Sequence, residues 1–186
     1  PRWELMGIDS KCMVGDPGQI VYADAYVKGI RNFDLEKAYE IAMASAKSAD
    51  TLNGKPFNSL RPKTKEFMED AFVAKELSDT LEFMLADFVM YKVAESMGKT
   101  EDAAFFKSRI DRYSENFNPE TGFMGPRNAD GSFIPVEHEY VETGCVESNI
   151  FQQSWFIPFD VEGLSELFGR ERFIALLEKF FSNADF

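Results

Sequence analysis

Apolar side chains recur at three- and four-residue steps along most of this chain, the spacing of helices that bury one face. Residues 19–31 and 34–48 predict a first helix pair, the second helix presenting Leu35, Ala38, Tyr39, Ala42, Met43 and Ala46 on one side. Residues 29–33 form the turn between them, and Asp34 has the side chain and the place of an N-cap. Residues 50–65, with Gly54, Pro56 and Pro62, read as a loop. A longer pair follows at 76–97 and 101–117. Its first helix buries Leu77, Leu81, Met84, Leu85, Phe88 and Val93, its second Phe106, Ile110, Tyr113 and Phe117. Gly98 stops the one and Thr100 caps the other.

Between 118 and 146 the helical spacing disappears. Residues 118–122 and 128–131 are turn sequences, and Phe123-Met124 with Ser132-Phe133-Ile134 predict the two strands of a hairpin. Helical spacing returns at 147–156, at 160–168 where Gly169 ends it, and at 171–182. Six or seven helices in antiparallel pairs, with a hairpin-like insert near 118–146, predict an all-α array. Such pairs close into a bundle, a solenoid or a toroid. No helix repeat of fixed length supports the solenoid.

The 186 residues suit one domain. Thirty-two Asp and Glu against twenty Lys and Arg leave a net charge of −12. That balance argues against a nucleic-acid partner, because neutralising phosphates needs clustered Lys and Arg. No apolar run approaches the roughly 20 residues that span a bilayer. Nineteen Phe, six Tyr and two Trp are a heavy aromatic load, which needs a large core or an aromatic-lined cleft. Cys12 and Cys145 are too few for a disulfide framework, although a single bridge stays open to them, and no zinc spacing is present. The chain starts at Pro1 without an initiator Met or a signal peptide, and so reads as a piece of something longer or a processed product.

Several chemistries fall away on inspection. The one histidine, His138, stands in a polar loop and reads as solvated; without a Gly-x-Ser-x-Gly elbow, triad chemistry has no support. Residues 15–18 lack the Lys and the spacing of a phosphate-binding loop. Residues 128–131 mimic part of an EF-hand loop, but its first ligand would be Pro126, which has no side-chain oxygen. What remains is carboxylates among aromatic rings, the pairing used by enzymes that stack on sugars and pass a proton to a glycosidic oxygen. It is densest at 147–161, where Glu147, Asn149, Gln152, Gln153 and Asp160 are set among Phe151, Trp155, Phe156 and Phe159. A helix over 147–156 would put Glu147 and Phe151 on one face, and a carboxyl pressed on aromatic surface titrates high, as a general acid needs. The same spacing fits a solvated Glu at a helix N-terminus, favoured by the dipole. Asp24 and Asp87 lie in strongly apolar helices. Lys28 offers Asp24 a partner one turn on; Asp87 must face solvent, line a cleft or meet a partner from another segment.

Four stretches carry a resemblance. They are Cys12-Met-Val-Gly15 with Ala23-Asp-Ala-Tyr-Val-Lys-Gly-Ile-Arg31; Ser78-Asp-Thr-Leu-Glu-Phe83 with Ala86-Asp-Phe88; Asn118-Pro-Glu-Thr-Gly-Phe-Met124 with Arg127-Asn-Ala-Asp-Gly131; and Glu147-Ser-Asn149 with Gln152, Trp155-Phe-Ile-Pro158 and Asp160-Val-Glu-Gly-Leu164. In this order and at these intervals the chain resembles the catalytic domain of the calcium-dependent exo-α-mannosidases of glycoside hydrolase family 92. The resemblance implies an (α/α)6 toroid preceded by a β-sandwich domain. Twelve helices with their loops need well over 300 residues, at roughly 15 per helix, so residues 1–186 would be a fragment, about half of the ring. It also implies hydrolysis of terminal α-mannosides, including N-glycan-type oligosaccharides, with inversion of configuration. By motif position the general acid falls on Glu147; Asn149, Gln152 and Trp155 are expected to touch the sugar or support the acid. The base and most ligands of the complete enzyme's calcium ion belong to motifs beyond the counterpart of Phe186, so no metal ligand is assigned here. Family habit implies the periplasm or the cell exterior.

The family commonly has His where this chain has Pro17 and Phe159, and its usual Glu-Gly-Asn and Trp-Gln become Glu147-Ser-Asn149 and Phe151-Gln152. Losing two imidazoles beside the sugar implies a divergent linkage or sugar preference. The rival expectation is a non-catalytic α/α scaffold that binds a glycan or protein partner through an aromatic cleft. A cleft-facing Glu147 would favour the enzyme, an outward, solvated one the scaffold. Either way, helix faces meant for an absent half predict self-association, and a fragment without its base predicts inactivity alone.

Overall fold

The computed structural model describes residues 4–5, 8–9, 14–47, 51–56, 61 and 64–182. The fold is mostly helical, with eight α-helices rather than six or seven among these residues. A short hairpin, β1 (Glu4–Leu5) with β2 (Ile8–Asp9), precedes them. Helix α1 (Pro17–Val27) starts two residues before the expected point, because proline at the first helical position is pre-set for it. It ends at Val27, and Gly29 turns the chain at φ +80°. Helix α2 (Leu35–Ala46) is capped as read: the Asp34 carboxylate accepts the Lys37 N–H at 3.0 Å.

The segment expected to be loop holds more structure than that. Strands β3 (Thr51–Leu52) and β4 (Lys55–Pro56) pair across Asn53-Gly54, both at positive φ, the dihedrals of a tight hairpin turn. Helix α3 (Thr64–Asp70) follows. Helix α4 (Leu77–Ser96) buries twelve of its twenty residues on all sides, so it runs through the interior rather than along the surface. Helix α5 (Thr100–Ile110) folds back on it after Gly98. Thr100 is the first helical residue and does not cap; Lys99 holds that place without a side-chain bond.

The expectation of helix to residue 117 is corrected. Helix α5 stops at Ile110, a 3-10 turn occupies Tyr113–Asn116, and Phe117 belongs to β5 (Phe117–Asn118). Asn118 precedes Pro119, which disfavours helical dihedrals in the residue before it. The hairpin partners are corrected too. Strand β6 (Phe123–Met124) pairs with β5, not with 132–134, and Phe133 instead bridges Arg127. The expected helix at 147–156 shrinks to one turn, α6 (Ile150–Gln153), because Glu147 takes φ 51°. Helix α7 (Val161–Phe168) has Asp160 as its cap, accepting the Gly163 N–H at 2.9 Å, and α8 (Arg170–Ser182) closes the described chain.

Two cores flank α4. One gathers Ala23, Tyr39, Met90, Val93 and Phe106 from α1, α2, α4 and α5. The other gathers Leu77, Leu81, Met124, Ile150, Phe151, Leu164 and Phe168 around the first half of α4. A buried ionic knot joins three helices near the first core. Asp87, fully buried, meets Arg61 Nη1 at 2.7 Å and Arg109 Nη2 at 2.6 Å. Arg61 also reaches Asp16 at 3.2 Å and Gln19 at 2.7 Å. Asp87 therefore meets partners from other segments, and Asp24 pairs with Lys28 at 2.7 Å as expected.

Candidate active site

The segment carrying Glu147 is fastened to the first turn of α4. Gly144 O accepts the Leu77 and Ser78 N–H groups at 2.8 and 3.1 Å. Only glycine fits there: φ is +73°, and a Cβ would lie 2.8 Å from the Lys75 carbonyl oxygen and 2.6 Å from Pro126 Cβ. Ser78 Oγ accepts the Val146 N–H at 3.0 Å and donates to Gln153 Oε1 at 3.0 Å. Ser148 Oγ donates to the same Gln153 oxygen at 3.0 Å. Beyond it, Asn149 caps α6 by accepting the Gln152 N–H at 2.9 Å, and Gln152 Oε1 accepts the Asn149 N–H at 3.2 Å, a reciprocal capping box.

Glu147 itself is exposed and left-handed, at φ 51°, a conformation that costs a side-chain-bearing residue about 1–2 kcal/mol. No hydrogen bond or ion pair joins its carboxylate to another described residue. It lies outside α6, so the expected shared helix face with Phe151 does not form. It lines neither the cleft of about 740 Å³ beside α2 nor that of about 330 Å³ between α4, Tyr113 and Phe159.

The other expected site residues divide. Asn149 and Gln152 lie beside Glu147, half-buried, and each keeps an NH2 group that bonds no described residue. Trp155 sits in an aromatic cluster, its ring 5.5 to 6.1 Å from those of Phe151, Phe168, Phe173 and Phe180, with Nε1 buried and unpartnered among the described residues. Phe159 is taken up in stacking on Phe88 at 5.2 Å, and Pro17 opens α1. His138 is exposed in its loop, where Nδ1 accepts the Tyr140 N–H at 3.2 Å. Cys145 is a free thiol, and burial pushes its ionisation up to about 12. Cys12 lies outside the described residues. Glu82, one turn past Ser78, is pushed up to about 7 by burial and then by the neighbouring Asp79 charge. Among the described residues no three His, Cys, Asp or Glu stand together as a metal site.

Ser78 and Gly144 are absent from the sequence-derived site, and Gln153, named within the 147–161 cluster, has no role assigned there. The available signal was Ser78 at the head of an apolar helix, a polar residue with no solvent face to occupy.

Residues 1–186 match the glycosyl hydrolase family 92 catalytic domain along their length. The chain belongs to glycoside hydrolase family 92. Within the family it superposes on an α-mannosidase of Bacteroides thetaiotaomicron with TM-score 0.84 and 28% identity, covering 97% of this chain and 24% of that one. An inverting family 92 mannosidase of the same bacterium gives 0.82 and 27%, over 94% of this chain and 24% of that one. An uncharacterized secreted glycosidase of Arthroderma benhamiae is 24% identical over 198 residues, 88% of this chain and 26% of the relative. The chain thus spans about a quarter of the length of these relatives.

Proposed function

We propose that this chain is about half of the (α/α)6 toroid of an inverting exo-α-mannosidase-like enzyme, in which Glu147 is the general acid. The acid gives its proton to the glycosidic oxygen as the bond to the anomeric carbon breaks. A second carboxylate takes a proton from the water that attacks the opposite face, the two carboxyls standing roughly 6.5–9.5 Å apart to admit it. That second carboxylate comes from outside residues 1–186, and so do most of the calcium ligands; no step here is routed through the metal.

The observation that carries the reading is the family match along the whole chain. A second supports it at the residue: Glu147 holds strained dihedrals on an anchored segment. Such strain persists where the surroundings over-determine it and gathers at functional sites. The free NH2 groups of Asn149 and Gln152 suit sugar hydroxyls, and Trp155 packs on Phe151 of the same short helix segment. α-Mannosides or N-glycan-type oligosaccharides are the proposed substrates, and a secreted relative supports export.

Glutamine at 147 keeps size and polarity but cannot deliver a proton. In the intact enzyme, Glu147→Gln should lower kcat on a mannose disaccharide at least about a hundredfold with KM held. Unchanged turnover removes Glu147 from the mechanism. Its exposure favours a second reading, a non-catalytic scaffold for a glycan or protein partner, and an intact enzyme that binds mannosides without turning them over would establish it.

A further inference from the structure

We infer that Ser78, Gln153 and Ser148 form a hydrogen-bonded clamp that aims Glu147 at the leaving-group oxygen, so that α4 positions the acid. The inference rests on the reading of Glu147 as the acid. Each peptide neighbour of Glu147 is held by a hydroxyl that ends on one acceptor. On one side Val146 N–H donates to Ser78 Oγ, which donates onward to Gln153 Oε1; on the other, Ser148 Oγ donates to that same oxygen, each bond 3.0 Å. Two donors fill both lone pairs of the amide oxygen. Ser78 is 2% exposed and Gln153 8%, and hydrogen bonds held away from water are the stronger for it.

Helix capping does not account for these three side chains. Helix α4 has Glu76 at its N-cap with no side-chain bond, and α6 is capped by Asn149 with Gln152. The clamp runs between those two ends, with Ser78 in the first turn of α4 and Gln153 as the last residue of α6. A group that must meet a substrate oxygen within a few tenths of an ångström gains from such anchorage on rigid elements. The three act through Glu147 and are positioning residues, not catalytic ones.

The test uses the intact enzyme and two substrates. One is an α-linked mannose disaccharide, whose leaving alcohol needs a proton; the other is dinitrophenyl α-mannoside, whose leaving phenolate does not. Ser148→Ala and Gln153→Met should each lower kcat on the disaccharide about tenfold or more, with KM within about twofold and activity on the aryl mannoside within about threefold. Ser148→Thr keeps the hydroxyl and should restore the disaccharide rate. Ser148 is only half-buried, so its alanine variant folds even if the Gln153 change does not. Equal losses on both substrates, or none, overturn the clamp. Glu147→Gln in the same assay separates the two ideas. If it is selective for the disaccharide while Ser148→Ala is not, the clamp fails and the acid stands. If it shows no leaving-group dependence, the acid assignment fails and the clamp with it.

Discussion

Glu82 and Asp79 share the α4 turn that holds the Glu147 segment, and their closeness has a consequence for stability. Burial, helped by the Asp79 charge, raises the Glu82 carboxyl from its ordinary 4.5 to about 7. The folded state therefore binds this proton more tightly than the unfolded chain does. Its contribution is full below about pH 4.5 and is lost as pH rises to about 7, at most about 3 kcal/mol in all. Glu82→Gln removes the ionisation but keeps the size. The melting temperature of the intact enzyme should rise at pH 8 and stay nearly unchanged at pH 5. A variant that melts lower at pH 8 would show that the ionised carboxylate is stabilised in the fold.

Helix α4 owes its interior course to partners that neutralise its one buried Asp in the second half. Arg61 bonds Asp87 and Asp16 at once, and its guanidinium lies 5.4 Å from the Phe83 ring centre. Arg109 covers the other Asp87 oxygen while resting 4.2 Å from the Phe105 ring centre. Desolvation lowers the Arg109 pKa and the Asp87 charge opposes it. Taking away one member strands the rest in a medium that solvates charge poorly. Arg61→Ala should cost about 3–5 kcal/mol, read as a drop in the denaturant midpoint. The exposed Lys28–Asp24 pair, by contrast, contributes about 0.5 kcal/mol or less. A midpoint unmoved by Arg61→Ala would mean that water or another cation reaches Asp87.

Apolar surface remains open at both ends of the helical array. Val21 and Val27 on α1 are 69% and 75% exposed, and Phe181 on α8 is 73% exposed. Helix α8 buries none of its residues fully, although an amphipathic helix normally covers one face. Such open faces accord with a chain that covers only 24% of the family 92 mannosidase on which it superposes. Expressed alone, residues 1–186 should self-associate through them and hydrolyse no α-mannoside. Light scattering that finds a single species at 21.2 kDa would overturn the first expectation, and measurable turnover the second.

Where a helix begins and ends is written within a few residues of each point. Asp34 and Asp160 cap as their positions in the sequence indicate, and Gly29, Gly98 and Gly169 stop helices with positive φ, because the groups they satisfy lie within one turn. The Asn53-Gly54 hairpin was equally local, a turn pair hidden in a stretch read as loop. The pairing of β5 with β6, the single turn of α6 and the left-handed Glu147 followed different logic. So did the meeting of Asp87 with Arg61, 26 residues away, and of Ser78 with Gln153, 75 residues away. Spacing along a chain can mark a polar residue as out of place on an apolar helix. Which distant group satisfies it depends on what packing brings within about 3 Å once water has left.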